Sequence, residues 1–577
     1  MNWIGRRGVR CAMFLMVCAT ALLTTAGAAW AQTGQGRIDV LTAHLKQIQD
    51  VASDMPSAAR EKLSSGAQHL LRLAASADNG ELQSDMAQSE AALHGTLSGR
   101  PFTPRSETLP PFQVNDPGTD LTFSRMAGFV QSETSTAWCG QNVVVAYNDS
   151  GSFLETFSQP RIGLSFNGYS RSTDGGRTFI DQGYLNPGPN IFNLLGGDPV
   201  VVCTDQKTFY QSSISQSRLF NGVSVSKSTD GGATFADPVA VIRKIPRFHF
   251  IDKPWLAADP SNPNNLYVTY TDFDTSRGSC RGLRTAIELV SSVDGGATWS
   301  APTVIDSACT PNFDQGSNVA VDGAGNVYIA WESFPSALPT NEIDIVRSTD
   351  GGASFGPKVT VAIVTPVGST FFGLLQGGFR NNEFPILAID RSRGQGTGPI
   401  YIAWNDGRFG QIPDGFPSGS GVTYNFGDAL VSRSTDGGAS WSAAVKVNNN
   451  KKAPPIDGTD QYLPGIAVDH SGAVGVCWYD RRRDPQNFLI DRECAVSRNS
   501  GQTWVNHRIT KESYAPSLAA DRLVNPAYMG DYDTTAADTL GQFSGFLGAF
   551  GDNTRGNPDV KISHRFGSGD DDNNNDE

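Results

Sequence analysis

VSRSTDGGASW, residues 431–441, is one of six copies of a single short pattern in this 577-residue chain. Each copy has a serine, an aspartate or asparagine, a glycine and an aromatic residue at fixed offsets. The copies end at Phe179, Phe235, Trp299, Phe355, Trp441 and Trp504. The serines that open them lie 56 to 86 residues apart, which leaves room for about four strands in each period. A repeat of this length predicts a series of small, similar units that must pack together to bury a core.

The residue types within the pattern predict a tight, self-contained turn. An aspartate such as Asp436 can accept hydrogen bonds from backbone N–H groups of its own turn. Glycines such as Gly437 and Gly438 allow positive φ angles without a steric penalty. An aromatic ring such as Trp441 can fill the space between neighbouring sheets. We therefore expect the six copies to be structural.

The pattern resembles the Asp box, or bacterial neuraminidase repeat, over residues 125–505. In that family the box joins the third and fourth strands of a β-propeller blade, so the resemblance implies an all-β propeller. The family includes sialidases, other glycosidases and propellers without catalytic activity. The resemblance therefore implies a fold more strongly than it implies an activity.

A second landmark sets the number of blades. An acidic residue opens an apolar strand in each period; these residues are Glu133, Asp198, Asp252, Asp314, Glu383, Asp460 and Asp531. The last one follows the sixth box, and the unit that it opens lacks an outer strand. Residues 111–116, PFQVND, would supply that strand and pair the two ends of the domain. We predict a seven-bladed β-propeller, with the six blades of true sialidases as the alternative.

Composition divides the chain into five parts. Residues 1–31 have the basic start, apolar stretch and small-residue cleavage site of a signal peptide, which predicts a secreted or periplasmic protein. Residues 32–95 show helical spacing and predict a small helical region, and residues 96–110 form a linker. The propeller is expected over residues 111–567, followed by a disordered acidic tail at 568–577. No second stretch is long and apolar enough for a membrane span.

Cysteines and charge limit the partners. Six cysteines follow the signal segment, and the expected strand register predicts a Cys477–Cys494 disulfide, with Cys280–Cys309 and Cys139–Cys203 as the other local pairs. None has the short spacing typical of zinc sites. The net charge of −13 argues against a nucleic-acid partner, because phosphate binding requires a basic surface. We expect a monomer.

The candidate site lies on the face opposite the boxes. In a propeller, the loops that enter the first strand and leave the second strand share that face. It collects the seven acids with arginines and aromatic residues, which suits a polar ligand. An alternative remains open, in which each acid only accepts hydrogen bonds within its own loop.

A comparison with sialidase chemistry selects particular residues. The resemblance implies arginines that bind the substrate carboxylate and a tyrosine nucleophile. However, the first-arginine signature of those enzymes is absent, because the segments around Arg161 and Arg247 do not match it. By position, the candidates are Asp252, Glu383 and Tyr532 for catalysis, and Lys253, Trp255, Arg408 and Arg481 for substrate binding. No cofactor is implied, and metal binding by the acids is left open.

Two functional hypotheses follow from the sequence. The first is a secreted, sialidase-like glycoside hydrolase or lyase that acts on an extracellular acidic glycan. The second is a propeller without catalytic activity that binds a carbohydrate or protein ligand through the same face. Closely spaced, inward-facing carboxylates would favour the first hypothesis, and acids held within loop hydrogen bonds would favour the second.

Overall fold

The computed structural model describes residues 34–78 and 111–568, apart from residues 62, 123–126, 129, 160, 277, 279, 370–373, 393, 395, 397, 413–422, 451–457 and 517–528. The predicted signal peptide, the predicted linker and the acidic tail beyond residue 568 lie outside the described residues. Within the described residues, small antiparallel sheets dominate and helices are few. The predicted all-β class is confirmed.

Helices occur in two places. The α-helices are α1 (Gly34–Ser53), α2 (Ser57–Glu61), α3 (Ser65–Asp78) and α4 (Ser150–Phe157), and Pro117–Thr119 form one 3-10 turn. The first three lie in the predicted helical region. Leu41, Leu45 and Ile48 recur at helical spacing in α1, and all three are buried. Among the described helices, none is long and apolar enough to cross a membrane.

Strands make up most of the remaining chain. In chain order they are β1 (Phe112–Gln113), β2 (Leu121–Thr122), β3 (Ala127–Gly128), β4 (Gln131–Cys139), β5 (Asn142–Asp149), β6 (Leu164–Ser165), β7 (Asn167–Ser172), β8 (Ile180–Tyr184), β9 (Leu194–Leu195), β10 (Val200–Cys203), β11 (Phe209–Ser217), β12 (Phe220–Ser228), β13 (Val239–Lys244), β14 (His249–Ala258), β15 (Leu266–Asp274), β16 (Arg284–Ser292), β17 (Thr303–Cys309), β18 (Phe313–Val321), β19 (Val327–Phe334), β20 (Asn341–Ser348), β21 (Val359–Val364), β22 (Gly368–Ser369), β23 (Leu374–Leu375), β24 (Phe379–Arg380), β25 (Ile386–Ile389), β26 (Ile400–Asp406), β27 (Gln411–Ile412), β28 (Tyr424–Asn425), β29 (Asp428–Ser434), β30 (Val445–Lys446), β31 (Gln461–Val468), β32 (Val474–Asp480), β33 (Asp491–Ser497), β34 (Val505–Arg508), β35 (Thr535–Ala537), β36 (Phe546–Asp552) and β37 (Asp559–Ile562).

Seven of the described sheets contain a run of four antiparallel strands, and we number them in chain order. Sheet 1 is β4-β5-β7-β8, sheet 2 is β10-β11-β12-β13, sheet 3 is β14 to β17, and sheet 4 is β18 to β21. Sheet 5 is β25-β26-β29-β30, sheet 6 is β31 to β34, and sheet 7 is β35-β36-β37-β1. Sheet 2 is wider than expected, because β9 also pairs with β11, and β6 pairs with β9.

The first strands of the seven sheets contact one another in a closed cycle. β4 contacts β10, and the contacts continue through β14, β18, β25, β31 and β35 back to β4. Residues of all seven first strands line one central cavity of about 770 Å³. Apolar residues fill the spaces between successive sheets; for example, Tyr169 of sheet 1 packs edge-on against Phe235 of sheet 2, with ring centroids 5.1 Å apart. Each sheet thus buries its faces against two neighbours.

The first and last described strands, β1 and β37, meet in sheet 7. Phe112 pairs with Ile562 and Gln113 pairs with Lys561. The backbone N–H of Val114 donates to Val560 O at 2.9 Å, and Val114 itself is buried. The predicted pairing of residues 111–116 with the last strands is therefore confirmed.

The repeated turns have the predicted hydrogen bonds. In the copy at residues 431–441, Ser440 N donates to Asp436 Oδ1 at 2.9 Å, and Gly438 N donates to Ser434 Oγ at 2.9 Å. Gly437 and Gly438 have φ angles of 73° and 88°. In the last copy Asn499 replaces the aspartate and accepts from Thr503 N at 2.9 Å. The turn geometry thus tolerates an amide in place of the carboxylate.

All three predicted disulfides are present. Cys139–Cys203 joins sheet 1 to sheet 2, Cys477–Cys494 joins β32 to β33, and Cys280–Cys309 links a loop to the end of β17. Cys477 pairs directly with Cys494 in the strand register, as expected. Three disulfides are consistent with an oxidising, extracellular compartment.

Candidate functional site

Charged side chains meet where the first strands of sheets 1, 2, 3 and 7 begin. We call this group the charged cluster, and it consists of Glu133, Asp198, Asp252, Lys253, Arg380 and Asp531. All six residues are buried. Four carboxyl groups face two basic groups, so the cluster carries more acid than base. Unpaired charge is costly in such a place, which makes the internal contacts decisive.

Lys253 and Asp531 form the centre of the cluster. Lys253 Nζ is ion-paired with Asp531 and lies 3.6 Å from Glu133 Oε1. Arg380 approaches Asp531 at 3.5 Å, and Asn382 Nδ2 donates to Asp531 Oδ1 at 2.8 Å. The backbone N–H of Asp531 donates to Glu133 Oε1 at 3.0 Å. Sheets 1, 3 and 7 are therefore joined through one group of charges.

Asn148 connects this centre to sheet 2. Its Nδ2 donates to Glu133 Oε2 at 2.8 Å, and its Oδ1 accepts from Asp198 N at 2.9 Å. The amide thereby fixes Glu133 and the backbone of Asp198 relative to each other.

Backbone conformation brings three of these side chains together. Glu133, Asp198 and Lys253 have φ angles of 54°, 56° and 53°, in the left-handed region that residues with a Cβ seldom adopt. Glu133 and Lys253 each lie within a β-bulge of their first strand. Non-glycine residues held in this region cost on the order of 1–3 kcal/mol each and cluster at functional sites.

The bulge corrects one expectation from the sequence. The acids were expected at equivalent positions in the seven units, but they occupy at least three different positions. Asp252 precedes the bulge of β14, whereas Glu133 lies inside the bulge of β4. In β18 the residue before the bulge is Gln315, so Asp314 lies one position earlier. A shift of one residue turns a side chain to the other face of a strand. Acidic residues that match in the sequence pattern therefore occupy different positions in the structure.

Burial changes the proton affinities within the cluster. Burial first, and then the charge of Glu133, raises the pKa of Asp198 well above its ordinary value. Burial also raises the pKa of Asp252, although Lys253 and the hydrogen bond from Ser64 oppose the shift. Burial lowers the pKa of Lys253, and the nearby carboxylates oppose that shift. Burial thus favours the protonated form of Asp198 relative to that of an exposed aspartate.

Four of the seven predicted site residues meet at the cluster. Asp252 and Lys253 belong to it. Tyr532 follows Asp531, and its ring lies 5.8 Å from Lys253 Nζ. Trp255 packs edge-on against Tyr532 with ring centroids 5.4 Å apart. The Tyr532 hydroxyl donates to Pro199 O at 2.9 Å, so it serves a backbone contact in this conformation.

Glu383, Arg408 and Arg481 have other hydrogen-bond partners. Glu383 Oε1 accepts from Val367 N and from Asn381 Nδ2, both at 3.0 Å. Arg408 donates to Asp406 Oδ2 at 2.5 Å and to Ile363 O at 2.6 Å.

Arg481 is fully buried and donates to Gln376 O and Asn487 O, at 3.0 Å and 2.9 Å. These contacts hold loops in place, so the predicted arginine grip on a ligand is not assembled in this conformation.

One small cavity adjoins the cluster, and the larger central cavity lies further along the first strands. The small cavity, of about 20 Å³, is lined by Lys253, Trp255, Phe384, Asp531 and Tyr532 and is too small for a sugar. The central cavity extends away from the cluster to turns that hold acidic residues such as Asp469, whose Oδ1 accepts from Ser471 N at 2.9 Å. Among the described residues, no group of three or more His, Cys, Asp or Glu side chains is arranged to hold a metal ion.

Sequence reasoning placed Glu133 and Asp198 among the acids of the candidate face but gave them no specific role. It considered Arg380 only as an arginine that could be recruited, and it missed Asn148. One signal in the sequence points to the bulge: a glycine, Gly316, stands in β18 where Lys253 stands in β14, and its φ angle is 70°. Glycine marks a position that requires positive φ. Aligning the units on that glycine, rather than on the acids, would have matched Lys253 with Glu133.

Comparisons with known proteins give distant structural matches only. No protein-family model and no curated protein matches the chain. The chain is similar to an alpha-L-arabinanase from Penicillium chrysogenum, with a TM-score of 0.39 and 13% identity over 62% of this chain and 94% of that one. It is similar to a PL25 ulvan lyase, with a TM-score of 0.42 and 10% identity over 77% of this chain and 95% of that one.

A third match is the Trypanosoma rangeli sialidase, with a TM-score of 0.35 and 12% identity over 64% of this chain and 54% of the sialidase. The chain therefore spans about half the length of that sialidase. These comparisons assign neither an activity nor a substrate to this chain.

Proposed function

We propose that residues 111–567 form one seven-bladed, Asp-box propeller of a secreted, sialidase-like protein, preceded by the helical region at 32–95. The closed cycle of contacts among seven first strands supports seven blades over six. The pairing of β1 with β37 supports closure of the ring by the two ends of the domain.

We further propose that this propeller acts on an extracellular acidic glycan as a glycoside hydrolase. The observation that carries this proposal is the convergence of Glu133, Asp198 and Lys253, each through left-handed backbone, on one buried cluster. A carboxylic acid that stays protonated at neutral pH can donate a proton to the leaving oxygen of a glycosidic bond, while an ionised carboxylate assists the attacking group. Asp198 suits the first role.

The residues predicted from the sequence have proposed roles beside Asp198 and the ionised carboxylate. Asp252 and Tyr532 remain proposed catalytic residues, because Asp252 belongs to the cluster and Tyr532 adjoins it, and Glu383 remains a candidate through its neighbours. Lys253 and Trp255 are proposed to contact the sugar, and Lys253 provides a positive charge for an acidic substituent. Arg408 and Arg481 would contribute only after their loops rearrange.

The second candidate is a propeller that binds a carbohydrate or protein without catalysis. The closure of the cluster favours it: its carboxylates are held by ion pairs and hydrogen bonds, and the adjoining cavity is about 20 Å³. Under this hypothesis the cluster stabilises the ring, and the ligand binds to the loops around it.

A paired screen separates the candidates. The purified mature protein is incubated with sialylated and uronic-acid glycans, and the same preparation is applied to a glycan array. The variants Asp198→Asn and Glu133→Gln are compared with Arg177→Ala, which changes an exposed residue of a repeated turn outside the cluster. Turnover that falls at least about 100-fold in both cluster variants, with array binding retained, is expected for a hydrolase.

Array binding without turnover in the wild type would favour the non-catalytic candidate. Turnover that is equal in all four proteins would exclude the charged cluster as the reaction centre.

A further inference from the structure

One hydrogen bond links the charged cluster to the N-terminal helices. The backbone N–H of Ser64 donates to Asp252 Oδ2 at 2.9 Å across 188 residues of sequence. Ser64 also begins α3, because its Oγ accepts from Ala67 N at 3.1 Å. The Asp252 carboxylate therefore lies at the positive end of a 14-residue helix, where a negative charge is stabilised.

Around this bond the helices and the sheets share one apolar core. Leu41, Leu45 and Leu70 of the helices belong to the same buried cluster as Phe250 and Phe273 of sheet 3. Leu70 packs so close to Gly196 that a Cβ on that glycine would stand 3.1 Å from Leu70 Cδ1. We call the contact surface between the helices and sheets 2 and 3 the seam. Where α1 meets these sheets, the seam contains a cavity of only about 10 Å³, about the smallest volume that holds one water.

We propose that residues 34–78, which we call the helical cover, are an autoinhibitory element that closes the Asp252 side of the charged cluster and must move before a glycan can reach it. This inference rests on the proposed function. Asp252 has no exposed surface while the backbone N–H of Ser64 is bonded to its carboxylate. Moving the cover breaks no strand pairing, because the cover is helical and precedes β1 in the chain. Opening the cover therefore breaks the seam contacts and the Ser64 hydrogen bond, but leaves all the sheets intact.

The test uses the full mature chain and a chemical probe of carboxyl exposure. A water-soluble carbodiimide with glycine ethyl ester modifies accessible carboxyl groups, and peptide mass spectrometry measures the modification of Asp252. Leu70→Arg places a charge in the seam, and Ala75→Arg adds the same charge on the exposed side of α3. Asp54, which is exposed, serves as the standard, and Asp491, which is buried in sheet 6, reports global unfolding.

We expect Leu70→Arg to raise modification of Asp252 at least about tenfold over the wild type, because a buried charge shifts the equilibrium toward the open cover. Ala75→Arg is expected to leave it unchanged. Gly196→Leu disturbs the same seam from the sheet side and is expected to act like Leu70→Arg. If neither seam variant raises modification of Asp252 above that of Ala75→Arg, the helical cover does not close the site and the proposal is overturned. A rise in the modification of Asp491 together with that of Asp252 would also contradict the proposal, since the protein would then be unfolding globally and the cover would not open by itself.

Glycan turnover and array binding of the same variants keep the two proposals apart. Higher modification of Asp252 together with faster turnover supports both. Higher modification without turnover or binding supports the cover and contradicts the proposed function. Turnover by the wild type that the seam variants leave unchanged supports the function and overturns the autoinhibitory role.

Discussion

At the scale of single residues, the site combines two unfavourable features, left-handed backbone and buried charge. Lys253 has both, with a φ angle of 53° and an ion pair to Asp531. A buried ion pair is weak evidence for stability, because removing its charges from water is costly. Natural sequences depart from local preferences mainly at functional or strained sites. The cost at Lys253 therefore supports a role beyond folding.

Asp314 offers a direct test of how burial alters titration in this ring. Burial first, and then the charge of Asp306, raises the pKa of Asp314 to about 7. An aspartate in an unfolded chain has a pKa of about 3.9, so between these values the folded protein retains a proton that the unfolded chain has released. The contribution of Asp314 to the free energy of unfolding is fully present below about pH 4 and is lost as the pH rises to about 7.

Asp314→Asn stays neutral, so its melting temperature relative to the wild type should rise between about pH 4 and pH 7. Thermal unfolding across that range measures the difference. Asp294→Asn is the control, because hydrogen bonds from Thr298 lower the pKa of Asp294 to about 2 and its charge is constant over the range. Parallel profiles for wild type and Asp314→Asn would contradict the assignment.

Only part of the candidate site could be predicted from sequence. Asp252 and Lys253 were found because they begin a recognisable strand. The convergence of Glu133 with them depends on a bulge, which shifts side chains by one position and leaves no consistent residue type in the sequence. That of Asp198 depends on left-handed backbone just before β10. The contact between Ser64 and Asp252 spans 188 residues and two kinds of structure, and no local pattern encodes it. The ligand-binding roles of Arg408 and Arg481 stay predictions, because a basic residue at a strand end can equally well hold a loop.

At the scale of elements, the repeated turn occurs in six of the seven numbered sheets and stabilises its sheet through its serine as well as its aspartate or asparagine. Ser434 is buried, and its Oγ accepts from Gly438 N and donates to Asp436 Oδ1 at 2.8 Å. The turn is distant in sequence from every residue of the charged cluster. Its role is therefore expected to be separable from ligand binding.

Ser434→Ala should lower the free energy of unfolding by about 1–2 kcal/mol, because it leaves a buried N–H without its acceptor. Urea unfolding measures the change. Ser442→Ala, two residues past the exposed end of the same turn, is the control and should cost less. An equal loss in both variants would mean that the buried serine has no special part, and a loss of glycan binding per folded molecule would contradict the separation of roles.

Disulfides give a second prediction at this scale. Cys139–Cys203 closes a loop with a sequence separation of 64 residues, and Cys477–Cys494 closes one of 17. A cross-link restricts the unfolded chain more when its loop is longer, so removal should cost about 4 kcal/mol for the first and about 3 kcal/mol for the second. Paired Cys→Ala variants, compared by denaturant unfolding, test the order. A larger loss for Cys477–Cys494 would show that local contacts outweigh loop length.

At the scale of the whole molecule, the sequence predicted the architecture better than the details. The repeat, its period and the missing outer strand near the C-terminus were enough to predict that residues 111–116 complete the last sheet. The extra strands β6 and β9 in sheet 2 were not foreseen, because each has only two residues and no alternating pattern. The helical region was expected to be a spacer or cap on the main domain, but its packing on sheet 3 was not predicted, since apolar helix faces do not specify their partners.

Ring closure depends on a few residues that carry many contacts. Asn115 Oδ1 accepts from Val560 N at 2.8 Å, and Asn115 Nδ2 donates to Asp559 Oδ1 at 3.1 Å. With Val114 buried beside them, these bonds join the beginning of the domain to its end. In a ring that closes in this way, cooperative unfolding of the sheets depends on the closing strand staying paired.

Replacing residues 112–115 with Gly-Ser-Gly-Ser should therefore lower the melting temperature and speed amide exchange throughout sheet 7 and in β4, which contacts β35 and β36. The matched control replaces residues 445–448 in the same way, which removes β30 from the edge of sheet 5 but leaves both chain ends in place. There, faster exchange should stay within sheets 5 and 6, because β30 pairs only with a strand of its own unit among the described strands. The replaced residues Val447 and Asn448 also hydrogen-bond to Asn506 and Gln461 of sheet 6. Hydrogen–deuterium exchange by mass spectrometry resolves the two patterns. If both replacements affect only the sheet that they touch, the paired ends are a local edge and do not hold the ring closed.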